Sequence, residues 1–396
     1  MPKLPKGWEE KELGEVCEIN PSKKEIGSLP SSTEVTFVPM AAVSEKGFIL
    51  EKKSVPLKDV LNGFPYFGEN DVLLAKITPC LENGKRAIAK GLKNKIGFGS
   101  TEFHIIRAGE TVSPEWIFYI ISSSNFRKNA EQNMTGTAGQ KRVPTSFLKK
   151  YKIVVPPLPI QRKIVAILKK AERIKQKRQQ QIEASGKLAQ SVFLEMFGDP
   201  RFNSKYPSKT LNEVCDKITD GTHKTPVYVE HGIPFLRVTD ITNSNESKKF
   251  LTKEEHAQLT QRCRPEKGDV LYTKNGTVGI AKMVDWDYEF SIFVSLCLLK
   301  PRKGIISAKY LETFLNTPIA LEQALHRSKK GTITNLHLNQ IKMIKLPLPP
   351  MKLQGEFAGI IQKIEATRQK QQQAKMHEEN LFDSLMQKAF DGELTG

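Results

Sequence analysis

The chain has 396 residues, 39% of them hydrophobic, which leaves room for two or three domains with ordinary cores. Its net charge of +18 points to a polyanionic partner, nucleic acid first and a membrane surface second. No apolar run is long enough to span a bilayer, the start "MPKLPKGWEE" lacks a signal-peptide core, and Cys17, Cys80, Cys215, Cys263 and Cys297 form no C-x-x-C pair, so a disulfide framework and a zinc site are excluded and a reducing cytoplasm is expected.

Residues 1–155 read as mixed α and β. Strand-like runs "EVTFVPM" (34–40), "DVLLAKI" (71–77) and "EFHIIRA" (102–108) lie between Gly, Pro and Asn turns. The segment "PEWIFYIISSS" (114–124) is a helix whose aromatic residues belong to a core. Two loops have the chemistry to meet nucleic acid. "AKITPCLENGK" supplies Lys76, Thr78 and Lys85; "TGTAGQKR" supplies Thr135, Thr137, Gln140, Lys141 and Arg142. Gly admits backbone close to phosphate, Lys and Arg neutralise it, and Asn, Gln and Arg bond base edges in pairs.

The period changes at "PPLPIQ" (156–161). From there Ile164, Ile167, Ile174, Arg178, Gln181, Leu188 and Val192 fall on a 3-4 seam, with Ser185 between the last polar and apolar members. The seam predicts one long helix over 156–198, carrying a basic stripe between 162 and 178. Residues 199–348 return to mixed α and β, with strand-like runs "IPFLRVTDI", "DVLYTK" and "FVSLCLLK" and a helix at "AKYLETFLNT" (308–317). Their candidate loops supply Thr222, His223 and Lys224; Lys274, Asn275 and Thr277; and Lys329, Lys330, Thr332, Thr334 and Asn335. Arg237 ends the apolar part of a strand-like run and joins the set. Residues 349–396 open with "PPMKLQ" and repeat the helix, its seam running through Phe357, Ile360, Ile364, Gln371, Leu381 and Leu385.

The order is therefore A-B-A′-B′. Gln161 meets Gln354, Leu188 meets Leu381 and Phe197 meets Phe390 in one register. Cys17 meets Cys215, and Asp71, Val72, Leu73 and Lys76 meet Asp269, Val270, Leu271 and Lys274 in a second register five residues longer. Such ordered echoes imply an internal duplication. Helices of about 55 Å overhang a domain of about 150 residues, so they pack on each other. A compact A′ joins the end of one to the start of the other only if they run antiparallel. The expected fold is α+β: two mixed domains joined by two long antiparallel coiled-coil helices, with pseudo-two-fold symmetry.

Catalytic signatures are missing. No N-P-P-Y-type or H-E-x-x-H run occurs, "GFG" (97–99) is a lone fragment, and "GTVGIAK" (276–282) lacks the G-K-S/T ending of a P-loop. No active site and no metal site is read. With "VVPPLPIQRKI", "KLPLPPMKLQGEF", "FGDP", "AFDGEL" and "TDGTHKTP" on the page, the chain resembles the specificity subunit of type I restriction–modification systems. The resemblance implies target recognition domains at 1–155 and 199–348 and spacer helices at 156–198 and 349–396. It implies that the chain reads a bipartite, asymmetric site on double-stranded DNA and is itself non-catalytic. It further implies two methyltransferase subunits and restriction–translocase subunits as partners, which use S-adenosylmethionine, ATP and Mg²⁺. Two other readings stand beside it: a protein-interaction scaffold without specific DNA binding, and an enzyme with an unrecognised nuclease site. One departure is visible, "INPSKKEIGS" in A where A′ has "ITDGTHKTP".

Overall fold

The computed structural model describes residues 4–137, 139–243, 247–326 and 335–394. The chain divides into two compact units, 1–178 with 374–396, and 179–373. Two long helices, Leu158–Phe197 and Met351–Asp391, each contribute one part to each unit.

Unit 1 is built on two four-stranded sheets. Its strands are β1 (Glu9–Glu12), β2 (Cys17–Ile19), β3 (Glu34–Val38), β4 (Lys53–Pro56), β5 (Tyr66–Gly68), β6 (Val72–Ala75), β7 (Arg86–Ile88), β8 (Ile96–Gly99), β9 (Phe103–Ala108) and β10 (Lys152–Val155). One sheet runs β2-β9-β6-β7, antiparallel throughout. The other runs β4-β3-β8-β5, and β3 and β8 are parallel. A two-stranded ribbon pairs β1 with β10. All four residues of β6 are buried, the mark of a strand covered on both faces. The helix Pro114–Ser122 starts where Ser113 accepts a hydrogen bond from Trp116 N–H and proline occupies the first turn, which needs no donor. It buries Trp116 and Tyr119 with Met386 and Ala389 of the second long helix.

Unit 2 repeats this plan. Its strands are β11 (Ser208–Thr210), β12 (Cys215–Asp220), β13 (Ile233–Leu236), β14 (Phe250–Leu251), β15 (Val270–Thr273), β16 (Ala281–Met283), β17 (Ser291–Ile292), β18 (Leu296–Pro301) and β19 (Lys345–Pro347). The order β12-β18-β15-β16 reproduces β2-β9-β6-β7, β13 and β17 are parallel as β3 and β8 are, and β11 pairs with β19. Phe193, Phe197, Tyr310, Phe314 and Phe357 fill its core. The run "IPFLRVTDI" is strand only to Leu236. Beyond it Val238–Asn243 is helical, because Asp240 accepts from Arg237 N–H and Ser295 Oγ from Val238 N–H, local bonds that replace the ladder.

The glutamine of each double-proline phrase is fully buried. Gln161 donates to the carbonyls of Thr111 and Pro156 and accepts from Ser113 N–H; Gln354 donates to Ile305 and Pro349 and accepts from Ser307 N–H. Each one ties the start of a long helix to the loop that leads into the aromatic-rich helix of its unit. "GFG" also finds a place: it lies in β8, where a Cβ on Gly97 would sit 2.0 Å from the Phe67 ring, so glycine is needed for packing.

Within each unit the long helices run in opposite chain directions. In unit 1, Lys175 Nζ lies 4.4 Å from the Phe382 ring centroid and Arg178 bonds Glu378. In unit 2, Ser185 bonds Gln371 and Phe193 packs edge-on to Phe357. Half of the expected seam is displaced by one residue. Ile164 and Phe357 are buried, and Val192, Ile364 and Leu385 pack at the core edge. Ile167, Ile174, Leu188, Ile360 and Leu381 are exposed; Leu168 and Ile361 are buried in place of Ile167 and Ile360. Gln181 is exposed, and its neighbour Ile182 is buried. At Ile167-Leu168, Ile360-Ile361 and Leu381-Phe382 two adjacent apolar residues satisfy the period equally, and packing selects the second.

Candidate nucleic-acid interface

The two loops singled out in residues 1–155 meet at one end of the β6–β9 pair. Thr78 N–H donates to Lys141 O at 3.0 Å, Val143 N–H to Lys76 O at 2.9 Å, and Lys76 N–H to Glu102 O at 2.9 Å. Thr135 and Arg142 exchange both backbone bonds, making a hairpin whose tip carries exposed Thr137, Gln140 and Lys141. Gly136 and Gly139 turn that tip with φ of +119° and +81°, conformations that L side chains disfavour. Thr78 and Lys85 are turned inward: Thr78 Oγ1 donates to Glu82, and Lys85 Nζ donates to Met40 O at 3.3 Å.

Arg142 is the best-defined cation of the site. Its Nε donates to Glu102 Oε2 at 2.9 Å and its Nη2 to Glu102 Oε1 at 2.7 Å, while Nη1 reaches Gln140 O at 3.1 Å. The guanidinium holds the Glu102 carboxyl below its usual range, and half-buried Lys76 adds to this. His104 supports the hairpin from beneath. Asn20 Oδ1 accepts from Ile105 N–H, which turns Asn20 Nδ2 toward His104 Nδ1. His104 therefore carries its proton on Nε2 and donates to Val143 O at 2.7 Å. Burial pushes its pKa down, with the carbonyl bond opposing.

Unit 2 places its loops at the same end of the equivalent strands. Leu336 N–H donates to Lys274 O at 2.7 Å, Lys274 N–H to Ser295 O at 2.9 Å, and Asn275 bridges to Asn335. By these bonds Asn335 holds the backbone position of Arg142, and Ser295 that of Glu102. Asn335 and Thr277 are exposed and Asn275 is half-buried. Lys329, Lys330, Thr332 and Thr334 lie outside the described residues. Lys274 is redirected: its side chain is 6% exposed and its ammonium lies 3.3 Å from Asp220. Arg237 is half-buried, with its guanidinium 3.5 Å from Asp240.

In "TDGTHKTP" the first residues build the loop and the later ones project. Buried Asp220 also accepts from Arg262 at 2.6 Å and lies 3.2 Å from His223 Nε2. A Cβ on Gly221 would sit 2.0 Å from Ile292 O. Thr222 accepts from Lys224 N–H and caps the turn, leaving His223 and Lys224 exposed. Glu102, His104, Asn20 and Arg262 escape a reading of loops alone; the first three lie on or next to strands, Arg262 follows the helix Lys253–Thr260, and only the fold brings them to the loops.

Among the described residues no group of three His, Cys, Asp or Glu side chains converges as a metal site, and no helix is long and apolar enough to cross a membrane.

A sequence profile described as the type I restriction modification DNA specificity domain matches the chain twice, at 5–184 and 203–376. The chain is 41% identical over 168 residues to the type I restriction enzyme EcoAI specificity subunit of Escherichia coli and 39% identical over 169 residues to the EcoEI specificity subunit. These stretches cover 41% and 42% of this chain but only 27% and 28% of the relatives' lengths. A putative type I specificity subunit of Haemophilus influenzae is 21% identical over 78% of both chains. Among solved structures, one from a study of assembly and conformational transition of the type I R-M system superposes with a TM-score of 0.68 at 23% identity, covering 99% of this chain and all of that one. The S subunit from M. genitalium gives 0.53 at 15% identity over 98% and 97%. These likenesses establish the fold.

Proposed function

The chain belongs to the family of type I restriction modification DNA specificity domains, and from that premise we propose that it is the sequence-specific DNA-binding subunit of a multi-subunit methyltransferase and endonuclease. Each unit reads one half of a bipartite, asymmetric site. The observation that carries this reading is the matched placement of the two loop pairs: the same backbone bonds bring Arg142 to one and Asn335 to the other. Equal scaffolds with unequal side chains suit two half-sites that differ. The net charge of +18 suits a phosphate backbone.

The functional division follows the sequence: recognition domains at 1–155 and 199–348, and spacer helices at 156–198 and 349–396. The repeated strand order and the paired buried glutamines support an internal duplication, and the opposed helix contacts inside each unit support an antiparallel coiled coil. Modification and restriction subunits are the partners. S-adenosylmethionine, ATP and Mg²⁺ are assigned to those partners as part of the same proposal.

Methylome sequencing of a host carrying this chain with its partner subunits tests the proposal. A split motif with two different halves and unread bases between them is expected. A continuous motif, or no sequence preference, overturns it.

A further inference from the structure

Arg142 has donors left over. The carboxylate of Glu102 occupies its Nε and Nη2 edge, and Gln140 O takes one hydrogen of Nη1. One hydrogen remains on each of Nη1 and Nη2, at the end of a guanidinium that is 42% exposed. Donors left on a guanidinium plane fixed by Glu102 suit the O6 and N7 acceptors of guanine in the major groove. Here the carboxylate fixes the plane, and the short link from Val143 to His104 fixes the backbone beneath it.

The corresponding position in unit 2 follows the same logic. Asn335 is neutral and sits where Arg142 does, and Glu102 is replaced by Ser295, whose hydroxyl oxygen accepts from Val238 N–H. The countercharge is present where the reader is charged and absent where it is not.

We propose that Arg142, with Glu102 as its positioning residue, reads a guanine in the half-site of unit 1. This rests on the DNA-reading function proposed above. The test uses the full chain assembled with its methyltransferase subunits, a randomised duplex library, and sequencing of the bound pool for wild type, Arg142→Lys, Arg142→Ala and Glu102→Gln. Wild type is expected to require G at one base pair of one half-site by roughly ten- to a hundredfold. Arg142→Lys keeps a cation for Glu102 and for phosphate but loses the planar fork, so that preference weakens at unchanged salt dependence, and Arg142→Ala brings it to near even, while the other half-site stays unchanged in both. Glu102→Gln lowers discrimination at the same base pair and no other. An intact motif in both Arg142 variants, even with weaker binding throughout, makes Arg142 a phosphate contact and overturns the inference alone. A wild-type assembly with no motif overturns the DNA-reading function itself.

Discussion

Gln161 and Gln354 show how much one side chain can hold. Each is fully buried with three hydrogen bonds to backbone groups that nothing else satisfies in the same way. Replacing either by leucine orphans one N–H and two carbonyls, and each orphaned group costs about 1–3 kcal/mol. Only the Pro156 and Pro349 carbonyl bonds are fully buried and the other groups regain water, so chemical denaturation of Gln161→Leu and Gln354→Leu is expected to show a loss of about 2–4 kcal/mol each, with a larger effect than at any exposed glutamine. His104 gives a second prediction, in pH. Its folded pKa lies below the ordinary value of about 6.5 because the ring is buried neutral. As pH falls below about 6.5 the unfolded chain takes up the proton first, so this stability is present above that value and is lost as pH falls through the lowered folded pKa. Stability measured at pH 7.5 and 5.5 is expected to fall more steeply in wild type than in His104→Gln; equal slopes refute it.

At the scale of elements, the polar middle of the long helices is expected to fix register more than to add stability. Arg178 and Glu378 are 29% and 20% exposed and form a side-on pair, with Nε at 3.1 Å and Nη2 at 2.9 Å from the same oxygen. Partial burial makes the pair directional without making it a large source of energy. A double-mutant cycle of Arg178→Ala and Glu378→Ala is expected to give a coupling of about 1 kcal/mol. The charge swap Arg178→Glu with Glu378→Arg recovers most of the loss of either single change, which checks that the two side chains act as a pair. The aromatic helices behave otherwise. Trp116, Tyr119, Tyr310 and Phe314 are in the cores, where area and close packing do the stabilising, as the sequence had suggested.

At the scale of the whole molecule, the proposed role of the helices is to set the separation of the two half-sites. Inserting one heptad into each helix at matched positions, near Gln181 and near Ala374, adds about 10 Å to each. Methylome sequencing of such a variant is expected to return both half-sites unaltered with a longer spacer. Altered half-sites with an unaltered spacer refute the ruler. Binding of the assembled wild type to its site is expected to weaken steeply with added salt, as phosphate neutralisation requires.

The sequence by itself determined that one plan of strands and helices recurs along the chain. Double prolines, glutamines and strand echoes recur in order because the same local bonds are needed twice, and those needs act through neighbouring residues. It also marked the hairpin 135–142 and the strand end at Lys76, whose Gly, Thr and basic residues are legible as loop chemistry. Only the tertiary structure decided which of two adjacent apolar residues faces inward, Leu168 over Ile167 and Ile361 over Ile360, because both satisfy a helical period and only packing breaks the tie. It also took Lys274 out of the loop surface and into a pair with Asp220, and set Glu102 beside Arg142 from 40 residues away. Long-range charge partners leave no periodic trace, since nothing local requires them.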